Sequence, residues 1–306
     1  MQTIVADNVV RVYPAGHGVC GVSLSVSAGQ CLGVLGANGS GKTTLTRLVA
    51  GLDRPDSGRV SVLGEAAAPR PRRLRRRCGA ALDTAAHWDT LSGRQNLWFF
   101  ARQQGLGGFV LSRRVDELLA MADLTTQADE PVESWSFGMR RKLGILEAIC
   151  HEPDVLILDE PSAGVDAAFL ERLTEHLGDR CSRGKTTWIA DNDADWLATA
   201  ATDAILLCGG HLTAAGRVAD LIAAAPASHQ IDILLEDAGF DAIPTINGVH
   251  SFDCTATRIT ARVDGDPSLP AELIGWIVAC GGRVRTMEVR SITLSEALRQ
   301  RGENRS

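Results

Sequence analysis

The sequence predicts an α/β fold built on a parallel sheet, followed by a small α+β domain. Three observations carry that expectation. From about residue 30 to residue 208, short apolar runs alternate with helix-spaced stretches, the order that builds strand–helix–strand units. The first of those runs empties into a glycine-rich turn, Gly36 to Thr44, ahead of a helical pattern. The pattern then changes beyond Ala223–Ser228, whose alanines and proline read as a linker. The expected domains are therefore residues 1–222 and 229–306.

The elements follow in order. Gln30 to Leu35 reads as a strand, the turn follows, and Leu45, Leu48 and Val49 place a helix after it. Arg59 to Leu63 is a short strand. Gln95–Gln104, Ser112–Met121 and Phe137–Cys150 carry apolar spacing near 3.6 and predict a helical subdomain over about residues 84–150. Val155–Leu158 is a continuous apolar run, as in a strand buried on both faces. A helix (Phe169–Leu177), a strand (Thr186–Ala190), a helix (Trp196–Ala200) and a strand (Ala204–Cys208) complete the first domain. In the second, Ile231–Leu235, Ser251–Thr255, Thr257–Val263 and Arg283–Val289 read as strands, and Pro270–Cys280 and Leu294–Arg301 as helices.

Composition narrows the function classes. A chain that is 45% hydrophobic with mean hydropathy +0.02 is neither disordered nor fibrous. The longest apolar run, Leu273 to Gly282, is half of the roughly 20 residues that a spanning helix needs, and no charged-then-apolar leader opens the chain. A soluble or peripheral protein is expected. The net charge of −6 gives no general attraction to nucleic acid, and none is expected as a partner. Eight cysteines are scattered without a CxxC, so neither a metal site nor a disulfide framework is expected. Six arginines fall between Arg70 and Arg77 with no aromatic among them, which reads as a solvated basic face.

The glycine-rich turn carries the chemistry. Gly36, Ala37, Asn38, Gly39, Ser40, Gly41, Lys42, Thr43 and Thr44 fit the phosphate-binding P-loop. Its glycines let backbone N–H groups wrap an anion, and the helix behind presents its positive end. Lys42 is expected on the β- and γ-phosphates and the Thr43 hydroxyl on Mg²⁺. Asp159 ends the buried strand VLILD, where open α/β sheets place their ligands. It is a second Mg²⁺ candidate, and Glu160 is then placed to polarise an attacking water. The expected ligands are ATP and Mg²⁺.

With those residues in hand, the chain resembles the nucleotide-binding subunit of ABC transporters over about residues 1–220. The resemblance implies a P-loop NTPase cassette. It also implies that Tyr13 stacks on adenine, and that Ser136 and Gly138, in SFGMR, stand in the LSGGQ signature. Trp135, Phe137 and Met139 depart from that signature. In the family, this segment opens a helix facing the γ-phosphate held by a second cassette. Asp166 resembles the D-loop. The family's Q-loop glutamine falls at Asp83, which implies a carboxylate near Mg²⁺. Asn192 stands in place of the switch histidine, with Asp191 and Asp193 beside it. Asparagine can hydrogen-bond but carries no positive charge, so hydrolysis is expected to be slow. The two aspartates are expected to disfavour added phosphate charge. Val284 to Gly302 is similar to the tail of the drug- and polysaccharide-exporter type. The implied function is an ATP-binding subunit, peripheral on the cytoplasmic face of the membrane, that pairs with a second cassette and drives a separate permease, most simply for export. The alternatives are a degenerate cassette with little hydrolysis in a heterodimer and a non-transport ABC ATPase.

Overall fold

The computed structural model describes residues 1–69, 71–82, 87–225, 227–236, 246–255 and 257–297. The chain divides into two compact units, Met1–Gly216 and Arg217–Ser306. The first runs β1 (Gln2–Val12), β2 (Gly18–Ser27), β3 (Cys31–Leu35), α1 (Lys42–Val49), β4 (Ser57–Val62), β5 (Glu65–Ala66), α2 (Arg72–Arg77) and β6 (Cys78–Ala81). It continues with α3 (Gly93–Gln103), α4 (Gly108–Met121), α5 (Phe137–Ile149), β7 (Val155–Asp159), α6 (Ala167–Ser182), β8 (Thr186–Ala190), α7 (Ala194–Ala200), β9 (Asp203–Cys208) and β10 (His211–Arg217).

The main sheet has the order β10-β9-β3-β8-β7-β6. Strands β9, β3, β8, β7 and β6 run parallel. Every residue of β3, β7 and β8 is buried, which is why these strands read as unbroken apolar runs. Trp188 of β8 is wholly buried, and its Nε1 donates to Thr46 Oγ1 of α1 at 3.0 Å. That bond and the surrounding Leu45, Leu48 and Val49 fix α1 against the sheet. The strand order sets the carboxyl ends of β3, β8, β7 and β6 side by side along one rim, where α/β sheets bind ligands.

A second sheet, β2-β1-β4-β5, packs Ile4, Val9, Val22, Val26, Val60 and Val62 into the same core. Its first two strands escape the period-two reading for a physical reason. Ala6 and Val9 are both buried, and the β1–β2 register shifts between them, with Asn8 at φ 45°. A bulge inserts one residue and inverts the alternation. The helical layer is anchored by its caps. Ser92 and Gln95 form a reciprocal capping box at the start of α3, and Ser136 caps α5.

The second unit holds α8 (Val218–Ala223), β11 (His229–Leu235), β12 (Val249–Cys254), β13 (Arg258–Val263), α9 (Leu269–Ala279) and β14 (Val284–Ser291). Its sheet has the order β12-β13-β11-β14, with antiparallel pairs throughout. Ile231, Ile233, Ile259 and Ala261 pack against Leu269, Leu273 and Ile277 of α9. Of the expected last helix, residues 294–297 are helical and the remainder lies outside the described residues.

Candidate nucleotide-binding site

The loop between β3 and α1 is built by glycines that no other residue could replace. Gly36 has φ 154°, and a Cβ there would lie 2.3 Å from Ser40 Oγ and 2.4 Å from the Leu207 carbonyl. Gly41 has φ 103°, with Gly18 O 2.5 Å from the same imagined atom. Both therefore need glycine for conformation and for space. Ser40 N donates to Ala37 O at 3.1 Å, and the Ser40 hydroxyl is buried.

Lys42 is 5% exposed, and its Nζ donates to Gly36 O at 2.7 Å and to Ala37 O at 3.2 Å. The ammonium thus lies curled into the loop that would wrap a phosphate. Burial lowers its pKa, opposed by the nearby carboxylates of Glu160, Asp159 and Asp191. Asn38, Gly39, Gly41, Thr43, Thr44 and Glu160 line a cleft of about 140 Å³ over the loop. Thr43 is exposed and Thr44 buried. His17 and Gly18 close the cleft from the β1–β2 turn. His17, a lone histidine immediately before β2, carries no signal in the sequence.

The other half of the site stands at the ends of β7 and β8. Asp159 pairs in register with Ala190 and is 2% exposed. Glu160 follows in the left-handed region at φ 49°, its N–H donating to Ala190 O at 2.6 Å. A non-glycine residue held there is strained, and the strain turns its side chain toward the cleft. Asn192 Nδ2 donates to Glu160 Oε1 at 2.8 Å. One carboxylate oxygen is fixed by that bond. Asn192 therefore touches the candidate base itself.

Its two neighbours have hydrogen-bond partners of their own. Asp193 accepts from Asp195 N and Trp196 N and so caps α7. Asp191 is buried and accepts from Ser162 N at 3.0 Å, Ser162 Oγ at 2.7 Å and Asp193 N at 2.9 Å. Both carboxylates are committed to backbone and hydroxyl donors rather than aimed at a phosphate.

The donor set suits a magnesium ion. Thr43 offers a hydroxyl and Asp159 a carboxylate, the hard oxygen ligands that Mg²⁺ takes. Among the described residues no group of three or more His, Cys, Asp and Glu forms a closed metal cage. Asp83, the expected Q-loop residue, lies outside the described residues.

Three further expected positions fall outside the cleft's lining. The Tyr13 hydroxyl donates to Asp53 at 2.5 Å, and Arg11 lies over its ring, 4.9 Å from the centroid. Ser136 Oγ accepts from Met139 N at 3.2 Å at the exposed start of α5. Gly138 abuts Gly164, where a Cβ would come within 2.3 Å of the carbonyl. The departures around them pack sensibly. Trp135 is buried against Gly93 at the start of α3, and the exposed Phe137 lies over Gly164. Asp166 caps α6 and pairs with Lys142 of α5, which lowers its pKa. Arg141, unremarkable in the sequence, donates from α5 to the carbonyls of Leu82 and Asp159, joining the ends of β6 and β7.

A strand, a glycine loop, a buried lysine and a carboxylate pair at the adjacent strand ends define a P-loop nucleotide-binding protein. Comparison with known proteins narrows the class. The ABC transporter family profile matches residues 19–163. The daunorubicin resistance ATP-binding protein DrrA3 of Streptomyces coeruleorubidus is 35% identical, over 77% of this chain and 74% of that one. The Nod factor export ATP-binding protein I of Burkholderia orbicola is 38% identical over 60% of each. An ABC transporter ATP-binding subunit of known structure superposes with TM-score 0.67 at 25% identity, over 72% of this chain and 91% of that one. The fold is shared by a dimeric cassette holding ADP and Pi, with TM-score 0.64 at 20% identity over 70% of this chain and 98% of that one. The chain belongs to the ABC transporter family as an ATP-binding cassette, and it is an ABC-type ATPase.

Proposed function

We propose that the chain binds MgATP at Gly36–Thr44, hydrolyses it through Glu160, and works as half of a head-to-tail pair of cassettes driving export through a separate membrane permease. The observation that carries the reading is the Asn192–Glu160 bond beside the Lys42 loop. It holds a general base at the edge of the cleft. The nucleotide chemistry is assigned to the first unit, Met1–Gly216. Among the described residues no helix is long and apolar enough to cross a membrane.

Lys42 would exchange its loop carbonyls for β- and γ-phosphate oxygens. Thr43 and Asp159 would hold Mg²⁺, which supplies neutralising charge to the phosphates. Asn192 fixes one oxygen of Glu160 and leaves the other to accept a proton from the water that attacks the γ-phosphorus. Tyr13 would stack on adenine. The amino end of α5, capped by Ser136 with Gly138 behind it, would face the γ-phosphate on the second cassette.

Export is the direction that the names of the relatives support: one is called a resistance protein and the other an export protein. Titration calorimetry with ATP tests the P-loop assignment. Lys42→Ala removes a charge-assisted contact worth roughly 1.5–3 kcal/mol, so affinity should fall on the order of 10- to 150-fold. Unchanged affinity would overturn the assignment.

A further inference from the structure

Helix α2 carries five arginines in six residues, with Leu74 alone turned into the core. Arg73 pairs with Glu65 at 2.8 Å and Arg77 with Asp154 at 2.7 Å. Arg72, Arg75 and Arg76 are exposed and make no ion pair among the described residues. They line an open groove of about 410 Å³ whose other wall is Gln103 and Gln104, at the end of α3. Every side chain lining this groove carries hydrogen-bond donors, and none is acidic. The outer face of α3 continues it: Phe99 lies one turn before Gln103, and exposed Trp98 one turn before exposed Arg102. A donor-lined cationic groove beside exposed aromatic rings is the surface chemistry of a membrane interface. In a chain of net charge −6 it is a local inversion of charge, not a consequence of composition.

We propose that the Arg72–Arg75–Arg76 groove docks anionic phospholipid headgroups, so that this face of the cassette binds the bilayer directly. The guanidinium groups supply long-range attraction and forked donors for phosphate. Trp98 and Phe99 supply apolar contact at headgroup depth. Nucleic acid is the less suitable polyanion, because no aromatic ring lies within the groove itself to stack a base. The proposal needs no permease, so its success or failure is separate from that of the transport reading.

The experiment is co-sedimentation of the full chain with protein-free vesicles, of phosphatidylcholine alone and of phosphatidylcholine mixed with phosphatidylglycerol. Each arginine near an anionic surface contributes about fivefold in partitioning, the equivalent of about 1 kcal/mol. Changing Arg72→Gln, Arg75→Gln and Arg76→Gln together should therefore lower binding to the mixed vesicles on the order of 100-fold. ATP affinity should be unchanged, which verifies the fold. The corresponding triple change to lysine should retain binding within a few-fold, because point charges suffice for surface attraction. Equal binding to neutral vesicles would overturn the proposal, as would glutamine variants that bind like the parent. Binding of inorganic phosphate or of duplex DNA by the full chain, lost in the glutamine variant while the parent fails to sediment with the mixed vesicles, would assign the groove to a free anion or to nucleic acid and overturn lipid docking.

Discussion

Replacing Asn192 by aspartate converts the hydrogen bond to Glu160 into a clash of like charges. The donor atom lies 2.8 Å from Glu160 Oε1, and an aspartate oxygen would occupy nearly the same point. Two carboxylates whose charge centres are about 4 Å apart repel by about 1 kcal/mol in water and about 4 kcal/mol at an effective dielectric near 20. Asn192 is exposed and Glu160 half-buried, so the lower half of that range applies. The pair then retains a proton to higher pH, as carboxylates sharing a site do. A protonated Glu160 cannot accept a proton from water. The acid limb of the pH–rate profile should therefore move upward by roughly 1 to 2 units, with activity recovering as pH rises. Asn192→Ala removes the bond without adding charge, and should lower kcat by about 10-fold with no displacement of the limb, at a cost near 1.4 kcal/mol. The assay is steady-state phosphate release at saturating MgATP across about pH 4 to 8, a span that holds an ordinary carboxylate limb and its upward displacement. An aspartate variant with the parent's rate and profile would refute the claim that Asn192 positions the base.

Two further outcomes follow from the same structure. Ser136→Ala should leave ATP binding by the isolated chain intact, cost about 1 kcal/mol of stability through the lost cap, and weaken ATP-driven pairing; sedimentation with and without ATP checks this. Gly138 is a poor choice for that test, since any side chain there strikes Gly164 within the same chain. Glu147 is buried on α5 with Oε1 unpartnered, and burial raises its pKa to about 8. A carboxyl whose folded pKa is raised loses stability as pH climbs from its unfolded value toward 8, by on the order of 5 kcal/mol. Glu147→Gln should thus match the parent near pH 5, where the native carboxyl is already neutral, and exceed its melting temperature near pH 9, about one unit above the folded pKa. Thermal melts at the two pH values decide it.

The parallel sheet was legible because burial on both faces leaves unbroken apolar runs, and the P-loop because its spacing is rigid. Helices α3, α4 and α5 were legible to within a few residues for the same reason: their apolar periodicity is strong. What escaped was set by tertiary contact. The bulge at Asn8 hid β1, and α2 offers only Leu74 as an apolar signal. In the site, Asn192 stood out as a departure from the family pattern, but its bond to Glu160 depends on the β7–β8 register, which no local pattern encodes. His17 and Arg141 act on positions far from them in the chain, for Arg141 the carbonyl of Leu82, 59 residues away. Where the Asp191 and Asp193 carboxylates point was not legible either, because capping and buried hydrogen bonds decide it.

The central claim is that Glu160 is the base for hydrolysis at this chain's own P-loop. Glu160→Gln in the purified chain, with ATP binding and single-turnover hydrolysis measured on the same sample, tests it most directly. Binding should remain within a few-fold of the parent, and hydrolysis should fall on the order of 10²–10⁴-fold, the usual cost of losing a positioned base. Turnover at the parent's rate with binding intact would contradict the account.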